Sequence, residues 1–98
     1  MPPVLKLVSI KPSAKATKKY DAVFSIDNKT KTVSFGAKGY SDFTLTKNEV
    51  KKNAYLLRHK ATEDWSNPMT PGALSRWILW NKPSVSASIA DFKRRFNL

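Results

Sequence analysis

Between Tyr20 and Ala37 the side chains alternate twice. Tyr20, Ala22, Phe24 and Ile26 fall on one side of an extended chain, with Asp21, Val23 and Ser25 on the other. Val33, Phe35 and Ala37 repeat the pattern opposite Thr32 and Ser34. Period two with one polar side describes a half-buried antiparallel strand, because successive side chains point to opposite faces of a sheet. The polar DNKTK between the two runs suits a turn, with Asp27 and Asn28 tolerant of turn conformations. Residues 20–37 are therefore expected to form a β-hairpin.

The flanking segments extend this pattern. VLKLVSI, residues 4–10, is rich in branched apolar residues and reads as a strand. The basic stretch that follows carries Lys11, Lys15, Lys18 and Lys19 with no acid, and is expected to be a loop or mobile arm. Domain organisation follows as an N-terminal strand and arm, 1–19, then one compact domain, 20–98. After the hairpin, Gly36 and Gly39 flank Lys38. A glycine loop beside a lysine can present amides to a phosphate, but a turn that ends the hairpin is the commoner use of glycine.

Three helices are expected. Thr46 with Glu49 three residues on is a capping box, so a helix over 46–60 should start there. In it Val50, Ala54 and Leu57 share an inward face at i, i+4 and i+7, and Lys47, Lys51 and Arg58 occupy another, with Lys52 and His59 nearby. Thr70 and Pro71 make a cap and first-turn pair for a second helix over 71–80. There Leu74, Trp77 and Ile78 share one face, with Trp77 read as core. Arg76 and Trp80 share a neighbouring face, leaving Trp80 either core or an edge ring with Arg76 against it. In a third helix over 86–96, Val85, Ile89, Phe92 and Phe96 form a stripe, with Lys93, Arg94 and Arg95 off it; Ser88 and Asp91 offer a cap inside it. Strands first and helices second indicate an α+β fold, a small antiparallel sheet with about three helices packed on one face.

With 98 residues and 41% apolar content the chain makes one folded domain. It has no cysteine, which removes disulfides, thiolate metal sites and thiol catalysis together. No run approaches a membrane-spanning length, and MPPVLKLVSIKPS lacks the form of a signal peptide. A lone histidine, His59, gives neither a metal pair nor a base with an obvious positioned partner. The chain is therefore expected to be non-enzymatic, with no cofactor, no metal and no small-molecule substrate. Eighteen Lys and Arg against seven Asp and Glu give a net charge of +11, which favours a polyanionic partner. The candidate contacts are Lys11, Lys15, Lys18 and Lys19 in the arm; Lys38; Lys47, Lys51, Lys52 and Arg58 on the first helix; and Lys93, Arg94 and Arg95 on the last. Trp65 and Trp80 are candidates for base stacking.

The strings FGAKGYSDFT, HK, NPMTPGALSRWILWNKP and SIADFKRRFNL, spread over about residues 20–98, resemble a small uncharacterised family of large double-stranded DNA viruses of algae and protists. That resemblance implies a virus-encoded basic protein, made late and packaged, acting inside the virion or the infected cell. It carries over no functional residue. The expectation is then a minor capsid or core component that docks on acidic faces of larger virion proteins, the alternative being a DNA-binding or DNA-packaging protein that does not read sequence.

Overall fold

The structure is a computed structural model that describes residues 5–98. They form three antiparallel strands in the order β1-β2-β3, followed by helices: an α+β fold. β1 spans Leu5–Pro12, β2 Lys18–Ile26 and β3 Lys29–Ala37. Val4, the expected start of the first strand, lies outside the described residues. Asp27 and Asn28 both take positive φ, 48° and 69°. That is the primed two-residue turn whose twist suits paired strands, so the turn is shorter than DNKTK and β3 begins at Lys29.

The stretch 11–19 is not an arm. Lys11 and Pro12 end β1, residues 13–17 turn, and Lys18 and Lys19 open β2. The Ser13 hydroxyl donates to Asp21 Oδ1 at 2.7 Å, and Ser34 donates to the same oxygen at 2.6 Å, tying the turn to the sheet. Those two hydroxyls hold the Asp21 carboxyl below its ordinary pKa. The boundary expected at residue 19 therefore falls inside a strand.

Ala22, Phe24, Val33 and Phe35 are buried on one side of the sheet, as their alternation requires. Leu74, Ile78, Leu79 and Phe92 meet them from the helical side to complete the core. The opposite side of the sheet carries cross-strand rows Lys6–Ser25–Thr30, Ser9–Val23–Thr32 and Lys11–Asp21–Ser34.

Two helical expectations change. The first helix is split: α1 spans Phe43–Thr46 and α2 spans Glu49–His59. Asp42 caps α1 by accepting from Thr44 N, and Asn48 caps α2 by accepting from Val50 N and Lys51 N. Thr46 therefore ends one helix instead of opening the next, and Lys47 sits between them at φ 53°. In α2 the buried residue is Tyr55, whereas Val50 and Leu57 are 77% and 78% exposed. The second expected helix is also interrupted. α3 covers Pro71–Leu74, capped by Thr70, and Ser75–Leu79 then form a π-turn closed by Trp80 N to Ser75 O at 3.1 Å. Bonding five residues apart places positions 78 and 79 beneath 74. Leu74, Ile78 and Leu79 thus enter the core, and Trp77 shifts to its side, half-buried. The Trp77 indole donates to Trp65 O at 2.9 Å, and the Arg95 guanidinium lies 3.9 Å from its ring centre.

α4 spans Val85–Phe96 and is capped by Ser84, whose side chain accepts from Ala87 N. Phe92 is fully buried, with Val85, Ile89 and Phe96 packed around it, as the stripe requires. Ser88 and Asp91 are not a cap. Both are buried and hold the preceding loop: Ser88 Oγ accepts from Lys82 N, and Asp91 accepts from Asn81 Nδ2 at 2.7 Å. No helix of the described residues is long and apolar enough to cross a membrane.

Candidate functional site

Between the sheet end and α2 lies a cleft of about 610 Å³. One wall is built by Gly36, Ala37 and the following segment Tyr40–Asp42. The other is built by Lys51, Ala54, Tyr55, Arg58 and His59 of α2, and Ser75, Leu79 and Trp80 of the π-turn close it. The π-turn matters here because it ends the helix at Trp80, whose ring stacks on Tyr55 at 4.5 Å and 6°. His59 covers Tyr55 on a second contact, 4.3 Å and 25°. Burial, then the neighbouring Glu63 charge, raises the Tyr55 phenol above its ordinary pKa, so it stays neutral.

The charges in the cleft differ in what they face. Lys19 Nζ donates to Asp42 Oδ2 at 2.5 Å, and Asp42 is buried, so this pair is internally neutralised. His59 Nδ1 donates to Glu63 Oε1 at 2.5 Å. The single histidine does have a positioned carboxylate, four residues further along the chain, contrary to the expectation from sequence. Lys51 and Arg58, one turn apart twice over on α2, are exposed and meet no acid among the described residues. The net charge of the cleft wall is therefore theirs. Tyr40, 73% exposed, stands on the opposite wall.

The other candidate cations divide similarly. Lys52 Nζ donates to Asn81 O at 2.8 Å and sits 4.8 Å from the Phe43 ring centre, joining α2 to the loop before α4. Lys47 donates to Thr44 O, which closes α1. Arg94 and Arg95 both reach Asp91, at 3.2 Å and 3.4 Å. With Asn81 as the largest influence, these contacts hold the Asp91 carboxyl below its ordinary pKa. Lys11, Lys15 and Lys93 are exposed and Lys18 partly so. Lys38 lies with Lys19 and Asp42 around a smaller hollow of about 210 Å³. The structure thus gathers Lys19, Lys51 and Arg58 at one cleft and leaves the remainder dispersed.

The two candidate stacking rings are differently placed. Trp80 lines the cleft with one face taken by Tyr55. Trp65 does not line it. The Arg76 guanidinium lies 5.4 Å from the Trp65 ring centre and 4.2 Å from that of Trp77, while Arg76 Nη1 donates to Trp80 O. Arg76 thus bonds the Trp80 backbone, not its ring. The residue that sequence reasoning missed is Tyr40. It sits in a glycine-flanked polar segment without periodicity, and its neighbours across the cleft lie on a different element.

A model of a family of unknown function, DUF5754, matches residues 8–59, more than half of the chain. The matched span runs from β1 to the end of α2 and includes Lys19, Tyr40, Lys51, Arg58 and His59. The strings NPMTPGALSRWILWNKP and SIADFKRRFNL lie beyond it. No curated protein and no solved structure matches the chain. From strand β1 to the last residue of α2, then, the chain is a member of the DUF5754 family of unknown function.

Proposed function

We propose that this protein is a non-enzymatic nucleic-acid-binding module that holds the phosphate backbone without reading base sequence. The observation that supports this is the pair Lys51 and Arg58. Neither faces an acid among the described residues, and both stand on one wall of a cleft with an exposed tyrosine across it. The net charge of +11 supplies the long-range attraction that brings a polyanion there. A gel-shift series with a DNA oligomer across salt concentrations tests this. Several phosphate contacts should give a steep linear fall of log affinity with log salt. A flat response, or no binding at low salt, would refute it.

A second reading has its own observation. Val50, Ala54 and Leu57 form an exposed apolar stripe on α2, between Lys51 and Arg58 on one flank and Lys60 on the other. Exposed apolar patches mark interaction surfaces. Cationic flanks suit an acidic protein face, which fits a virus-encoded minor capsid or core component within a particle. Mass spectrometry of purified virions tests that reading, and absence of the protein from them would remove it.

A further inference from the structure

We infer that the cleft takes a short stretch of a single strand, with one base against Tyr40 and the neighbouring phosphates at Lys51 and Arg58. This rests on the nucleic-acid reading above and narrows it to unpaired strands. Three observations lead to it.

The size of the cleft comes first. At about 610 Å³ it falls inside the range of roughly 300–1,000 Å³ that small organic ligands occupy. It is larger than a bare anion needs, and a paired duplex keeps its bases stacked inside and offers no single ring to such a space. An unpaired base does.

The second is the state of the rings. Tyr55 is covered by Trp80 on one contact and His59 on another, so it forms wall and not platform. Tyr40 is the exposed ring of the cleft, and it makes no aromatic contact among the described residues. An exposed aromatic beside cations is the arrangement by which proteins hold unpaired bases, because every base has a stacking face.

The third is charge. Asp42, the acid that lines the cleft, is paired with Lys19, and Glu63, which does not line it, accepts from the His59 ring through Oε1. The two cleft cations that meet no acid among the described residues are seven apart on α2, so they lie on one side of that helix.

The experiment titrates the full chain at low salt with a single-stranded oligothymidylate and with a duplex of the same length. Wild type, Tyr40→Ala and Tyr40→Phe are compared. Tyr40 is exposed, so neither variant disturbs the core. Tyr40→Ala should weaken single-strand binding roughly 5- to 150-fold, the range of one lost base stack. Tyr40→Phe keeps the ring and should stay within about twofold, and duplex binding should not respond to either change. Thymidine 5′-monophosphate should perturb the NMR signals of Tyr40 and Trp80, and inorganic phosphate should not. Equal single-strand affinity in wild type and Tyr40→Ala would overturn the inference while leaving the nucleic-acid reading in place. So would inorganic phosphate reproducing the effect of the nucleotide. If wild type binds neither strand form, the broader reading falls, and this one with it.

Discussion

A methyl group added at Gly36 would stand 2.9 Å from Leu79 Cδ1 and 3.1 Å from Lys19 Cβ, at a backbone φ of +77°. Gly36 thus meets two demands: a conformation that other residues rarely adopt, and close approach of the π-turn to the sheet end. Gly39 meets the first alone, with φ +93° and open space around it. Gly36→Ala should therefore lower stability by about 1–3 kcal/mol, and by more than Gly39→Ala, in urea unfolding of the two variants. Because Leu79 and Lys19 both line the cleft, Gly36→Ala should also alter the cleft, which Gly39→Ala should not. At this scale the sequence was only partly legible. That Gly36 and Gly39 belong to the end of the hairpin follows from their neighbours, but which one carries a packing demand depends on Leu79, forty-three positions away by the numbering. The candidate cations show the same limit. Lys19 and Lys51 look alike in sequence, and Asp42 distinguishes them only once β2 and the segment before α1 meet.

The second scale is the element, where α2 shows how a valid pattern can mislead. Val50, Ala54 and Leu57 fit the spacing of a buried face, yet they are exposed, and Tyr55 on another face of the helix turns inward instead. The deciding contact is the flat face that Trp80 offers to Tyr55, made possible by the π-turn. A stacked aromatic pair adds about 0.5–1.5 kcal/mol beyond its area burial. Val50→Ser with Leu57→Ser should thus change stability by no more than about 0.5 kcal/mol per site, whereas Tyr55→Ala should cost several times as much. Paired urea or thermal melts separate the two. The faces of the hairpin were readable for the opposite reason, though its turn is shorter than expected. Its buried face belongs to a regular element of period two, and one residue of slip would expose Phe24 and Phe35. The interrupted second helix carried no comparable signal, since ALSRWILW satisfies an α-helical stripe equally well.

For the whole molecule, the C-terminal segments are tied to one another by a buried carboxylate. Asp91 of α4 joins Asn81 of the preceding loop to Arg94 and Arg95. Its carboxyl is held below the ordinary 3.8 in the folded state, chiefly by the Asn81 amide. A depressed folded-state pKa means that the unfolded chain binds the proton first. The contribution is therefore present above about pH 4 and is lost as pH falls through the lower folded value. Stability should decline below about pH 4, and Asp91→Asn should flatten that decline; urea midpoints from pH 7 to pH 2 measure it.

The cleft is likewise a property of the assembled molecule, since β2, β3, α2 and the π-turn each supply part of it. The measurement that bears most directly on its role compares two charge-matched variants for single-stranded DNA affinity across salt. Lys51→Gln with Arg58→Gln removes the cleft cations that meet no acid among the described residues. Lys15→Gln with Lys93→Gln removes two exposed cations that do not line it. The cleft variant should reduce the slope of log affinity against log salt by about 1.4, near 0.7 for each lost contact to a single strand, while the control keeps nearly the wild-type slope. Equal losses in the two variants would contradict the account, leaving net charge and not the cleft as the source of binding.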